Sequence, residues 1–564
     1  MTSSNLTEKF SSLKASHYLW LALFVFMLFL PSRASLPPLD RDEARYMQAT
    51  SQMLESHNFI DVRFQDKPRY LQPAGIYWLE AIAVKITGTE KTKALWPYRI
   101  PSLLAATGSV LLTAWIGNLL FDSLVGFLGG VLLAFSVLLA AEGRMATIDT
   151  TLLFFILLAQ SSLVRAWLNR FQKIYLPISV ALIFWIAIGC GLMLKGPVVL
   201  IPTLGTLFAL SIIDRNKRWW QHLRLNWGWL ISLLIVLPWC IAIGVVSHGQ
   251  FFSNSVGTNF LGKVASGQQA HGLPPGYYIL IFLISFWPGS VFTAWALPFF
   301  WKERKSESGK FLLCWIIPHW LVFEAIATKL PHYVLPTYPA IAIFTAAAVV
   351  KISNEWKGPT ANWGKILLWA YIFLWALAGI ALSVGGIWIY HRFTGKISLP
   401  ALATGVGVII LINLVIFCLF KNKIQKAALA AIATAIVVYL ELFTILIPDM
   451  RNVWLSQKVA HMVDALKPCQ NSIVASASYS EPSLVFLLGK DTHLINPAET
   501  VKFLQENKAC GLGLVDKRDQ DSFSKYLKEE NLVVKRLGHV SGINYSNGKR
   551  LDLSLFQVDN QLNQ

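Results

Sequence analysis

Charge is what this sequence has least of. Asp, Glu, Lys and Arg make up 14% of its 564 residues, where soluble domains carry about 25%. A chain so poor in charge cannot cover a soluble surface of its size, so an ordinary soluble enzyme is excluded. Metal-ligand spacing is also missing. The 6 Cys and 11 His form no cluster of zinc-binding pattern, which excludes a structural zinc module. Cys190, Cys240, Cys314 and Cys418 lie in apolar runs and read as packing residues. Cys469 and Cys510 lie in a polar tail, where a disulfide and two separate thiols both remain open. No Walker loop or dinucleotide fingerprint is present, so nucleotide chemistry is not expected. No internal repeat is evident, which counts against the duplicated halves of many transporters.

Long apolar runs take the place of these features. Hydrophobic residues make up 55% of the chain, and the mean hydropathy is +0.51. Membrane-length segments fall near 17–31, 97–120, 124–141, 150–167, 174–194, 197–213, 227–247, 277–300, 311–328, 334–350, 365–389, 399–419 and 427–447, about thirteen in all. The first is read as an uncleaved span rather than a signal peptide. The 22 Trp and 34 Phe suit aromatic belts at the two interfaces.

The net charge of +18 would suggest nucleic acid in a soluble protein. Here the basic residues gather in short loops, such as "RAWLNRFQK" from Arg165, "WKERKSESGK" from Trp301 and "KNKIQK" from Lys421. Thirteen spans put every such loop on one side, which the positive-inside rule makes cytoplasmic. No nucleic-acid partner is expected; membrane lipids are. The loop 32–96, the loop 248–276 and the tail then face the other way, the periplasm in a bacterium.

Loop 32–96 has structured composition. Tyr46, Met47, Met53 and Leu54 recur at helical spacing, and "AGIYWLEAIAVKIT", Ala74 to Thr87, is again amphipathic. Both read as interfacial helices. In the tail, "SIVASAS" and "LSLFQV" read as strands, "PAETVKFLQENKA" and "DQDSFSKYLKEE" as helices, and "NYSNGKRLDLSLFQV" as a hairpin turning at Asn547-Gly548. The expected architecture is an α-helical polytopic membrane protein with amphipathic helices in the first outer loop and a small C-terminal α/β domain. The transmembrane part covers 1–448 and a periplasmic domain 449–564.

Four outward segments carry chemistry. "LPPLDRDEARYMQAT" sets Asp42 and Glu43 at a helix start. Acidic residues favour a first helical turn through the dipole, and Asp40 is a natural N-cap, so a structural reading stands beside a catalytic one. "EGRMATID" packs Glu142, Arg144 and Asp149 into one short turn beside the bilayer, where charge is costly. "LMLKGPV" ends a span on Lys195; lysines snorkel at span ends, but an outward one also suits an anionic ligand. "ATKLPHYVLPTYPA" groups Lys329, His332 and Tyr333. Acidic and cationic groups on one face beside lipid suit transfer from a lipid-linked phosphate. The cations stabilise the departing phosphate, and a carboxylate takes a proton from the acceptor.

These segments, with "PRYLQPAGIYWLEA" and "GRMATIDTTLLFF", come in an order that resembles the GT-C superfamily of membrane glycosyltransferases. The chain most resembles the bacterial branch related to dolichyl-phosphate-mannose–protein mannosyltransferases and to the lipid A aminoarabinose transferase. The resemblance covers most of the chain. It implies inverting transfer of a sugar from a polyprenyl-phosphate donor to lipid A or lipopolysaccharide, another glycan or a protein. It places catalysis on Asp42, with Glu43 beside it and Asp149 as a second acid. Arg144, Lys195, Lys329, His332 and Tyr333 are the expected groups around the donor phosphate. Many relatives carry a lysine immediately before the second proline of "PRYLQPAGIYW"; here Gln72 stands there, and Lys67 or Arg69 is expected to substitute. No metal site is assigned. Clustered carboxylates leave a divalent ion open, although no ligand spacing demands one. The alternative class is a transporter or flippase of lipid-linked sugars.

Overall fold

The computed structural model describes residues 15–38, 41–172, 175–214, 217–262, 273–351, 362–450 and 453–559. Asp40, read as a helix cap, lies outside them, as does most of the basic segment that starts at Lys351. Every one of the thirteen apolar stretches contains helix. Among the described residues, eight helices are long and apolar enough to cross a membrane, and Ala15–Phe29 and Ser123–Ala134 are shorter apolar helices. The protein is a polytopic helical membrane protein.

Local chemistry explains where several helices begin and how closely they pack. Asp122 accepts a hydrogen bond from the Val125 amide and starts Ser123–Ala134, and Ser306 does the same for Glu307–Ala325 through Gly309. Ile100–Leu120 packs against Ser123–Ala134 through small residues. A Cβ on Gly126 would sit 2.3 Å from the Ala114 carbonyl oxygen, so only glycine permits this approach.

Both helices expected in the first outer loop form, as Arg41–Ser56 and Gly75–Ile86. Between them run two short strands, β1 (Arg63–Phe64) and β2 (Lys67–Pro68), paired antiparallel. The apolar face of Arg41–Ser56 is covered by protein. Met47 and Leu54 pack with Ala81, Val84, Tyr98 and Phe486 in one buried cluster.

The tail forms β3 (Ile473–Ser476), β4 (His493–Leu494), β5 (Gly511–Asp516), β6 (Val534–Ile543) and β7 (Arg550–Val558). They join in one sheet of order β4-β3-β5-β7-β6. β3 pairs parallel with both β4 and β5, and β5–β7–β6 are antiparallel. The helices Pro497–Glu506 and Gln520–Glu529 match the sequence reading. The β6–β7 hairpin turns at Gly548, whose φ of 70° suits glycine. Cys469 and Cys510 form a disulfide.

Candidate active site

Asp149 is the first residue of the Asp149–Leu168 helix, where a carboxylate meets the positive end of the helix dipole. Lys195 is the last residue of Ile178–Lys195, where a cation meets the negative end. Gly196 follows with φ 59° and ψ −140°, a backbone region closed to residues with a side chain. That break ends the helix and turns the next residues away. Lys195 Nζ donates to Asp149 Oδ1 at 2.6 Å and lies 5.4 Å from the centre of the Tyr333 ring.

The irregular Pro331–Thr337 segment delivers the third component. His332 stands between two carboxylates: Nε2 is 3.8 Å from Asp149 Oδ2, and Nδ1 is 3.7 Å from Glu142 Oε1. The other Glu142 oxygen accepts a hydrogen bond from Thr147 Oγ1 at 2.7 Å. Asp149, Lys195, His332 and Tyr333 line one cavity together with Gln72. Its volume is about 110 Å³. Most of the remaining wall is apolar, including Leu152, Val198, Ile201, Phe323, Ile326 and Pro336.

Asp42 stands beside this wall. Its Oδ1 lies 2.9 Å from Arg45 Nη1 and 3.6 Å from Arg69 Nη2, and its side chain is 57% exposed. Of the acids expected to act, it is the one a ligand can reach from outside. Arg69 is buried, donates to Tyr77 Oη at 3.0 Å and lies 5.3 Å from the centre of the Tyr46 ring. Tyr46 Oη accepts from Gln72 Nε2. A continuous run of contacts therefore joins Asp42, Arg69, Tyr46 and Gln72 to the cavity. Burial would lower the Arg69 pKa, but Tyr77, Tyr46 and Asp42 raise it above its ordinary range. Tyr46 is raised by burial and by Tyr77, against Arg69, and both Asp42 and Asp149 add to the rise. The two acids thus act on the same phenol.

Four expected residues are placed elsewhere. Glu43 is fully buried against Arg99. Its Oε1 accepts from Arg99 Nε at 2.7 Å and from the Ala146 amide at 2.9 Å, which ties the outer loop to the Ile100–Leu120 helix. Arg144 donates to the carbonyls of Ala140 and Leu28 and lies 4.2 Å from the centre of the Phe443 ring. Lys329 is buried and donates to the carbonyls of Phe323, Glu324 and Ile326. It caps the end of Glu307–Ala325 instead of facing the cavity. Lys67 is exposed on β2 and lies outside the cavity wall. Among the described residues no group of three or more His, Cys, Asp or Glu is arranged to hold a metal ion.

The sequence reading took Tyr46 only as part of an apolar stripe. Its position four residues after Asp42, on the same helical face, was the available signal.

The fold has counterparts among solved structures. It is similar to those of two membrane-embedded proteins. It resembles the crystal structure of ArnT from Cupriavidus metallidurans bound to undecaprenyl phosphate, with TM-score 0.70 and 15% identity over 95% of this chain and 97% of that one. It also resembles the apo oligosaccharyltransferase of Archaeoglobus fulgidus, with TM-score 0.52 and 13% identity over 93% of this chain and 70% of that one.

In sequence, part of the chain is similar to the dolichyl-phosphate-mannose-protein mannosyltransferases and to aminoarabinose transferases. Residues 15–249 match the family profile described as dolichyl-phosphate-mannose-protein mannosyltransferase. An undecaprenyl phosphate-alpha-4-amino-4-deoxy-L-arabinose arabinosyl transferase of Enterobacter sp. is 29% identical over 57% of this chain and 57% of its own length. One of the same description from Erwinia tasmaniensis is 28% identical over 65% of this chain and 71% of its own length.

Proposed function

We propose that the protein transfers a sugar, with inversion, from a polyprenyl-phosphate donor to an envelope acceptor. The observation that carries this reading is the apolar-walled cavity where Asp149, Lys195 and His332 meet, from three distant parts of the chain. The apolar wall suits a polyprenyl chain. Lys195, His332 and Gln72 form the polar end that takes the phosphate, with Arg69 behind Tyr46 supplying further positive charge. Asp149 holds Lys195 in place.

The bond broken is that between the anomeric carbon and the phosphate oxygen; the acceptor oxygen bonds to the same carbon from the opposite side. Phosphate leaves as an anion, so the site's work is positioning and stabilising that charge. For a hydroxyl acceptor, Asp42 takes its proton. For an acceptor that is itself a phosphate, Asp42 orients it. Gln72 contributes a hydrogen bond without charge, which leaves Lys195 as the cation in the cavity wall, with the His332 imidazole beside it.

The active face and the tail lie in the periplasm of a bacterial inner membrane. The Cys469–Cys510 disulfide supports that side, because disulfides persist in oxidising compartments. The acceptor classes are lipid A or lipopolysaccharide, another glycan, or a protein.

Purified protein incubated with a radiolabelled polyprenyl-phosphate sugar and acceptor tests the reading. Transfer is expected, with Asp42→Asn reducing it at least a hundredfold while donor binding is kept. Full activity in Asp42→Asn rejects the role of that residue. Movement of the lipid across vesicles without transfer identifies a flippase instead.

A further inference from the structure

A second groove lies between the end of the Ala15–Phe29 helix and the start of Ile100–Leu120. Its volume is about 560 Å³, within the size range of ligand sites, roughly 300–1,000 Å³. Phe26 and Leu30 line it from the first helix, and Leu103 and Leu104 from the second. Leu30 and Leu104 are exposed, as are Trp20, Phe24 and Met27 along the first helix. The groove is therefore continuous with the apolar surface that a membrane protein turns to lipid. Trp96 also lines it, and tryptophan gathers where the bilayer meets water.

One side chain breaks the apolar lining. Arg33 lies in the turn after the first helix, lines the groove and is 5% exposed. Its Nη2 donates to the carbonyls of Arg99 and Gly143, while its Nε has no hydrogen-bond partner. Glu43, the carboxylate of this region, is taken by Arg99 at 2.7 Å. Arg144, buried beside the same turn, donates to the carbonyls of Ala140 and Leu28. Three buried guanidinium groups thus share one carboxylate. Burial, then Arg99 and Arg144, lower the Arg33 pKa to about 9, with Glu43 opposing, so the group stays charged at neutral pH. A buried cation short of counter-charge is costly, and an anion at this end of the groove removes that cost.

The two halves of the groove ask for different chemistry. Apolar walls open to lipid suit an acyl chain, and a guanidinium suits a phosphate. Inorganic phosphate meets only the second requirement and a diacylglycerol only the first; a phospholipid meets both. The polyprenyl chain is assigned above to the cavity at Asp149 and Lys195, whose wall shares no residue with this groove.

We propose that this groove holds one anionic phospholipid of the surrounding bilayer, an acyl chain between Phe26, Leu30, Leu103 and Leu104 and the phosphate on Arg33. The lipid bears on the active face through two attachments of Arg33. The Arg33 carbonyl accepts from Arg99 Nη1 at 2.6 Å, and Arg99 holds Glu43, the neighbour of Asp42. Gly143, whose carbonyl Arg33 Nη2 holds at 2.9 Å, follows Glu142, and that carboxylate stands beside His332. An occupied groove fixes the guanidinium and with it both attachments. In this second step, which rests on the transferase reading above, the lipid supports turnover without being consumed.

The test uses the purified full-length protein, stripped of lipid in detergent, and follows binding by native mass spectrometry. The probes are phosphatidylglycerol, diacylglycerol and inorganic phosphate. Phosphatidylglycerol is expected to bind at least tenfold tighter than diacylglycerol, and inorganic phosphate to leave it bound. Arg33→Gln, which removes the charge, is expected to weaken phosphatidylglycerol at least tenfold, and Arg33→Lys to restore most of the affinity. Ala34, exposed and also in the groove wall, gives an independent variant. Ala34→Trp fills the groove with Arg33 intact and is expected to lose the lipid, which keeps the test decisive should Arg33→Gln fold poorly. Polyprenyl phosphate is expected to bind all three variants as it binds the wild type. In turnover, the stripped wild type is expected to be several-fold slower and to recover with phosphatidylglycerol, whereas Ala34→Trp does not recover.

Unchanged phosphatidylglycerol affinity in both Arg33→Gln and Ala34→Trp overturns the proposal. So does diacylglycerol binding as tightly as phosphatidylglycerol, which marks an ordinary contact with bulk lipid. Displacement of phosphatidylglycerol by polyprenyl phosphate, one for one, also overturns it and gives the groove to the donor. Because binding is read without turnover, a protein that binds the phospholipid but never transfers refutes the transferase reading alone. Transfer at the same rate with and without bound phosphatidylglycerol refutes the link to turnover.

Discussion

Asp149 and Lys195 face each other at 2.6 Å and are largely screened from solvent. Removing one partner leaves the other charge stranded in a mostly apolar wall. Asp149→Asn and Lys195→Met are each expected to destabilise the protein by about 3 kcal/mol. The double variant should lose clearly less than the sum, which a double-mutant cycle of thermal or denaturant midpoints reads directly. Donor binding should fail in every variant lacking Lys195. Glu80 offers a different residue-scale test. It is fully buried and accepts from Thr50 Oγ1 at 2.6 Å. Burial, and secondarily Glu43, raises its pKa well above the usual carboxylate value, against the opposing effects of Thr50 and Arg69. The folded state therefore binds this proton more tightly than the unfolded chain. The associated stability is present below the unfolded pKa and is lost as pH rises through the folded one. Glu80→Gln keeps the hydrogen bond and cannot ionise. Its melting temperature is expected to overtake that of the wild type as pH rises.

At the scale of elements, the Arg41–Ser56 helix is held from both sides. On one side Glu43 meets Arg99, which also donates to the carbonyls of Arg33, Leu36 and Pro37. On the other side Arg41 meets Glu481 of the C-terminal domain. The exposed Asp42 sits between two fixed neighbours, and its placement depends on both. Glu481→Gln weakens the outer hold without adding a clash. It is expected to lower kcat several-fold, leave the donor KM unchanged, and speed amide exchange in residues 41–56. A change in donor KM with kcat intact would assign Glu481 to binding. The same scale explains Lys329 and Arg144. Both sit where a helix end leaves carbonyl oxygens without amide partners, and in a poorly hydrated setting those oxygens take the nearest cation.

At the scale of the whole molecule, the C-terminal domain packs onto the first outer loop and the end of a membrane helix together. Its own integrity depends on a disulfide between residues 41 apart in sequence. Closing a loop of that length restricts the unfolded chain by about 4 kcal/mol in the chain-entropy description. Cys469→Ser with Cys510→Ser should therefore lower the unfolding midpoint of the tail, measured by limited proteolysis. The membrane helices should stay packed. Because Glu481 and Phe486 both belong to this tail, transfer should fall along with it.

Membrane class, helix positions, the tail's strands and the hairpin at Gly548 were all legible in the sequence. Each depends on local sums: apolar run length, period and turn chemistry act over a few neighbouring residues. Asp42, Asp149, Lys195 and His332 could likewise be singled out, since charge beside lipid is costly wherever it occurs. Which charges face ligand and which face protein was decided only by the tertiary structure. Glu43 is adjacent to Asp42, yet one turns to Arg99 and the other to the outside. Lys329 and His332 share a turn, yet one caps a helix and the other enters the cavity. A charged side chain takes the partner nearest in space: for Glu43 that is Arg99 from a distant helix end, for Lys329 the carbonyls just before it.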